Sequence, residues 1–190
     1  MSFMLLGILN AQASGGAAGA FDLLETTTLS TSASSVTFSG LGAYSDYKHL
    51  QVRALFKSND AGTIANALNI RFNSDSGSNY AWHALQGTGS SVIALGSDSR
   101  PEIAIQNAVP DASSGTSNGF GPGVFDILDF SNSSKNTTLR ALVGFPDGRI
   151  RVGLSSGLWN DTSSVTSIDF SVAGSFNFVS GTRFSLIGVK

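Results

Sequence analysis

Two histidines, eleven basic side chains, thirteen acidic ones and no cysteine are the stock from which this chain would have to build a reactive centre. A hydrolytic triad needs a histidine beside a carboxylate and an activated Ser or Thr. His49 stands in the run Lys48-His49-Leu50-Gln51-Val52-Arg53, where a two-residue alternation sends it to the solvent face. His83 follows Trp82 and, by the same alternation, points away from it. Ser and Thr are abundant, but no nucleophile-elbow motif surrounds any of them. Asp126 and Asp129 flank Ile127-Leu128, so alternation puts them on opposite faces, the wrong arrangement for two carboxylates sharing a cleft. The run Asp75-Ser76-Gly77-Ser78-Asn79 is oxygen-rich like a calcium loop, yet Asp75 is its only carboxylate, and a hairpin turn is the better reading. Trp82 and Trp159 offer two rings that could stack on a sugar at the surface; the competing reading makes both core anchors. Without cysteine there are no disulfides, thiolate metal sites or thiol nucleophiles. No catalytic, cofactor-binding or metal-ligating residue is assigned, and the chain is expected not to be an enzyme.

The elements that would position these residues are short strands. From Phe21 onward, apolar-polar alternation is split by Gly/Ser/Asn/Asp clusters, and no dozen-residue window keeps a helical period. Strands are expected at 23–29, 35–38 and 48–57, the last with Leu50, Val52, Ala54 and Phe56 turned inward. Residues 67–73 follow, with Leu68, Ile70 and Phe72 inward, and the turn at 74–78 returns the chain as a hairpin partner over 79–86, with Tyr80, Trp82 and Ala84 on one face. The middle, 90–106, shows two apolar patches, Val92 to Leu95 and Ile103 to Ile105, before a Gly/Ser/Asn/Pro loop over 110–123. Strands resume at 124–130, 138–145 and 149–154, with Pro146-Asp147-Gly148 turning the last two. The closing pair is 165–172 and 183–189. Ten or so strands suffice for two sheets face to face. The expected fold is all-β, a jelly-roll-like antiparallel β-sandwich over 21–190 with an extended N-terminal arm over 1–20.

Composition narrows the partners. Only 13% of the 190 residues are charged, about half the usual share, so the polar surface must be Ser, Thr, Asn and Gly. Few charges mean little resistance to association. The net charge is −2 and no basic run occurs, which excludes the Lys/Arg footprint of a nucleic-acid binder. Thirteen phenylalanines against three tyrosines and two tryptophans favour a core or a dry contact.

The N-terminal run Phe3, Met4, Leu5, Leu6, Gly7, Ile8, Leu9 is apolar, and Ala11-Gln12-Ala13 has the form of a signal-peptidase site. No Lys or Arg precedes the run, and it is far too short to span a membrane. A contact arm is therefore expected in preference to a cleaved signal, with Phe3, Met4, Leu5, Leu6, Ile8 and Leu9 as its assembly residues and the Gly/Ala stretch 15–20 as its tether.

Several blocks recur together elsewhere: Ser35-Val36-Thr37-Phe38-Ser39-Gly40-Leu41, Tyr47-Lys48-His49-Leu50-Gln51-Val52-Arg53, and Arg71-Phe72-Asn73-Ser74-Asp75-Ser76-Gly77-Ser78-Asn79-Tyr80. Ile127-Leu128-Asp129-Phe130-Ser131-Asn132 with Lys135, Ser156-Gly157-Leu158-Trp159, Val165-Thr166-Ser167-Ile168 and Gly181-Thr182-Arg183-Phe184-Ser185-Leu186-Ile187-Gly188-Val189 complete the set. In this order they resemble tailed-bacteriophage virion structural proteins of the cyanophage kind. The resemblance implies a virion component, either a capsid decoration (cement) protein or a tail-fibre or baseplate module that touches a host-surface glycan. It implies no catalytic residues and no cofactor. The implied partners are copies of the chain itself, as dimer or trimer, and other virion proteins such as the major capsid protein, without nucleic acid or membrane. Assembly in the host bacterial cytoplasm would suit a chain without cysteine.

Overall fold

Short alternating segments with turn chemistry between them have one stable outcome, sheets that bury one face each. The computed structural model describes residues 19–62, 65–112, 118–145 and 151–190. Its strands are β1 (Phe21–Thr28), β2 (Ser35–Ser39), β3 (His49–Phe56), β4 (Ala65–Phe72), β5 (Tyr80–Gly87) and β6 (Val92–Arg100). They continue with β7 (Ile103–Pro110), β8 (Gly121–Leu128), β9 (Thr137–Phe145), β10 (Arg151–Trp159), β11 (Ser167–Val172) and β12 (Arg183–Val189). Two single 3-10 turns, Leu41–Tyr44 and Ala173–Ser175, are the only helical pieces among the described residues.

Every ladder is antiparallel. The large sheet runs β1-β12-β3-β8-β9-β10-β5-β6 and the small one β2-β11-β4-β7. Setting β5, β6, β9 and β10 aside leaves eight strands. Counted off in chain order, they lie first-eighth-third-sixth in one sheet and second-seventh-fourth-fifth in the other. This is a jelly roll, with the chain crossing between sheets at almost every connection. The hairpins β5–β6 and β9–β10 extend the large sheet beyond β8.

The core between the sheets is built on phenylalanine. Phe170 of β11 meets Phe184 of β12 at 4.8 Å between ring centroids, and Phe125, Phe56, Phe178 and Phe38 surround that pair at 5.5–6.4 Å. A second cluster of Phe72, Tyr80 and Trp159 packs at 5.7–6.5 Å where the added hairpins begin. The inward sets expected on β3, β4 and β5 are all buried.

Three expectations about connectivity fail. The strand at β5 is no hairpin partner of β4, because the chain changes sheets between them. Asn73 and Ser74 take left-handed conformations (φ 53° and 54°), and Tyr80 Oη accepts from the Phe72 N–H at 3.0 Å, pinning the crossing instead of a ladder. The closing strands β11 and β12 likewise lie in different sheets. The loop expected over 110–123 loses both ends to strands, since Pro110 closes β7 and Gly121 to Gly123 open β8. A Cβ on Gly121 would come within 2.7 Å of Pro110 Cδ, so the two strand ends touch where a loose loop was expected. The turn at 146–148 and the arm at 1–18 lie outside the described residues, although β9 and β10 do pair across the former.

Candidate contact surface

The decisive local feature is β10, Arg-Val-Gly-Leu-Ser-Ser-Gly-Leu-Trp. Its small residues face the core: Gly153, Ser155 and Gly157 are buried, while Val152 and Leu154 are 50% and 55% exposed. The inversion has two causes. Trp159 is fixed in the core, 2% exposed, with its Nε1 donating to Asp75 Oδ2 at 2.8 Å, and that sets the parity of the strand. On the inner side β7 lies too close for anything larger, since a Cβ on Gly157 would meet Ile103 Cδ1 at 2.6 Å.

Register carries the consequence across the sheet. Leu85 of β5 pairs with Leu154, Leu154 with Leu142 of β9, and Leu142 with Val124 of β8. Leu85 and Leu142 are 50% and 49% exposed, so a row of large aliphatic side chains crosses the outer face. The next row along the strands is polar: His83, Ser156, Arg140, Asp126 and Gln51. Asp126 accepts from Arg140 Nε and from Gln51 Nε2, both at 2.8 Å, and Gln51 Oε1 accepts from Arg53 Nε at 2.8 Å. Together the rows line an open concavity of about 690 Å³. The outer face of the small sheet is its opposite, made of Ser35, Thr37, Asp169, Ser171, Asn69 and Arg71. One broad face of the molecule is polar, and the other carries an exposed aliphatic row beside a polar one.

The residues weighed for chemistry are dispersed. His83 lies over Gly96 of β6, where an added Cβ would approach its Cδ2 to 2.7 Å. His49, at the other side of the sheet, accepts the Asp129 N–H at Nδ1 (2.9 Å), so that nitrogen carries no proton. Asp129 turns at φ 50° just past β8 and pairs with Lys135, which holds its carboxyl below the usual carboxylate range. Asp126 is bound up with Arg140, so the two carboxylates serve separate cations. Asp75 accepts from the Gly77 N–H, Asn79 Nδ2 and Trp159 Nε1, and these donors, Asn79 first, lower its pKa. It organises a turn around an indole. Lys57, Asp60 and Asp111 are each buried, which alternation did not reveal; Asp60 accepts from the Gly62 N–H and Asn66 Nδ2. No group of three or more His, Asp or Glu fit to hold a metal occurs among the described residues.

Surface stacking by tryptophan is corrected. Trp82 is 8% exposed and Trp159 2%, because both sit on the inward parity of their strands, and no ring face is free for a sugar. The arm residues Phe3, Met4, Leu5, Leu6, Ile8 and Leu9 lie outside the described residues. What sequence reasoning missed is the leucine row, for alternation alone assigns large aliphatics to the core.

Comparison with protein-family models, curated proteins and solved structures found no match to this chain.

Proposed function

We propose that the chain is a structural subunit that works by contact, a virion component of the capsid-decoration kind. The observation carrying this reading is the exposed aliphatic row Leu85–Leu154–Leu142–Val124, backed by a sequence with 13% charge. Contiguous apolar surface of this sort marks a binding face. Its three leucines lie on strands added to the eight-stranded jelly roll, which is where a contact role grafted on a common fold belongs. The polar small sheet suits the side turned to solvent. The resemblance noted in the sequence supplies the virion setting. A glycan-reading tail module draws less support, since its two indole platforms are buried.

Particle occupancy tests the reading. The wild-type chain is expected at hundreds of copies per virion by quantitative mass spectrometry, and a few dozen or fewer would place it at the tail. The double variant Leu142→Asp, Leu154→Asp leaves the core untouched and should fall at least tenfold in occupancy. Undiminished uptake would remove the outer face from the mechanism.

A further inference from the structure

A sheet edge is a row of unpaired N–H and C=O groups, and proteins blunt their edges with charge, bulges, short strands or cover. Three of the four edges here are blunted. β1 carries Asp22 and Glu25 and a bulge between Leu23 and Glu25. β2 is five residues of Ser-Val-Thr-Phe-Ser. β7 is bulged, ends in proline, and has the Gln106 carbonyl taken at 2.7 Å by Gln86 Nε2. The fourth, β6, opens with Val92-Ile93-Ala94-Leu95-Gly96, with no charge before Asp98 and a regular register against β5 over 92–97. Register puts Val92 and Ala94 on the outer face and Ile93 and Leu95 on the inner one, and all four are exposed. β6 overhangs the small sheet, so it is open on both faces as well as along its edge.

A strand that completes such an edge must be apolar on both of its own faces. The sequence contains one segment of that kind outside the described residues: alternation along 3–9 puts Phe3, Leu5 and Leu9 on one face and Met4, Leu6 and Ile8 on the other. We infer that this segment of one copy adds as a strand to the β6 edge of another copy. The inference rests on the contact reading above and names its partner surface.

Reach decides for a second copy over the same one. The described chain begins beside β1, where the Lys190 N–H donates to the Ala20 carbonyl, at the opposite side of the eight-stranded sheet from β6. Eight strand spacings separate β1 from a strand added outside β6, about 38 Å at about 4.8 Å each. The twelve residues from Leu9 to Phe21 span at most about 40–43 Å fully extended. A Gly-rich tether of that length has a root-mean-square span of only about 17–21 Å. Within one chain the effective concentration is therefore close to nil, whereas a neighbouring copy needs no stretched tether. Main-chain hydrogen bonds supply affinity in strand addition, and alternate side chains supply register.

The chain lacks cysteine, so paired cysteines give an unambiguous readout. One full-length population carries Leu6→Cys and a second, differently tagged, carries a single cysteine at Val92, Ile93, Ala94 or Leu95. Mild oxidation of the mixture should join unlike tags, with a two-residue rhythm: either 92 and 94 or 93 and 95 react, at least fivefold over the other pair. Adding Leu5→Asp and Ile8→Asp to the arm should abolish the product, while circular dichroism stays unchanged. Equal yields at all four positions, no product at any, or closure within a single chain carrying Leu6→Cys and Leu95→Cys would each overturn the inference. Particle occupancy is a separate readout. Rhythmic cross-linking in a chain absent from capsids keeps the strand addition and removes the decoration role.

Discussion

Asp75 shows how a residue with the look of a ligand is spent on architecture. Its two oxygens meet a backbone N–H, an amide and the buried Trp159 indole, all at 2.8–2.9 Å. Those donors favour the charged form and lower the folded-state pKa. A carboxylate depressed on folding stabilises the fold fully above its unfolded value, about 3.9, and loses that contribution as pH falls through the lower folded value. Removing it strands the Trp159 N–H inside the core, so Asp75→Ala should cost about 2–3 kcal/mol at pH 7. Urea unfolding checks both parts: the gap between wild type and variant should narrow from pH 7 to pH 2.5. An unchanged gap would mean that the charge is not what holds the indole. The oxygen-rich turn was legible in the sequence, but its customer was not, because Trp159 lies 84 positions away.

At the scale of elements, alternation identified inward faces and missed partners. Leu50, Val52, Ala54 and Phe56 could be placed from β3 alone, since a strand with one wet face writes its parity into its residues. Sheet membership is written elsewhere. Phe72 and Tyr80 are eight residues apart across a Gly/Ser/Asp run that reads as a hairpin turn, yet the tyrosine hydroxyl both accepts from the Phe72 N–H and lies 3.2 Å from the Phe72 carbonyl. This clasp ends β4 and sends the chain to the other sheet. Tyr80→Phe would leave the buried Phe72 N–H unpaired at the crossing, while the Phe72 carbonyl keeps the Asp75 N–H, an expected loss of about 1–3 kcal/mol by denaturant unfolding. A smaller effect would mean that ring packing against Trp159 alone holds the turn. β10 was illegible for a different reason: its parity is set by a tryptophan at its end and by glycines that admit Ile103, against the preference of Val152 and Leu154 for the interior. Gly157→Val tests that account, since the added isopropyl group has no room beside Ile103, and overpacking of this kind costs about 1–3 kcal/mol. Recovery in the double variant with Ile103→Ala would identify the clash.

The whole molecule has unlike faces, and the one with the aliphatic row limits what kind of assembly it can drive. On that face and along the adjoining β6 edge, Leu85, Val92, Ile93, Leu95, Leu142, Val152 and Leu154 have about half of their surface exposed on average. Covering them completely is worth about 5–10 kcal/mol. Bringing two bodies together costs about 4–15 kcal/mol before any contact is counted. One such contact is thus weak, and useful binding requires many copies or a second attachment, as a decoration layer or an exchanged arm provides. The polar row beside the leucines is the alternative, because Arg140, 71% exposed, engages Asp126 through Nε, and Arg53 engages Gln51 through Nε, which leaves guanidinium donors for a partner. The two origins respond oppositely to conditions. Apolar association tightens on warming from 5 to 30 °C, shows a negative heat-capacity change and strengthens in sulfate. Association through the charged row would weaken steeply between 50 and 500 mM NaCl. Sedimentation of the full chain across temperature and salt is expected to show the first pattern, with less than a threefold change over the NaCl range. A collapse with salt would move the interface from the leucine row to the Arg140–Asp126 row one step along the same strands.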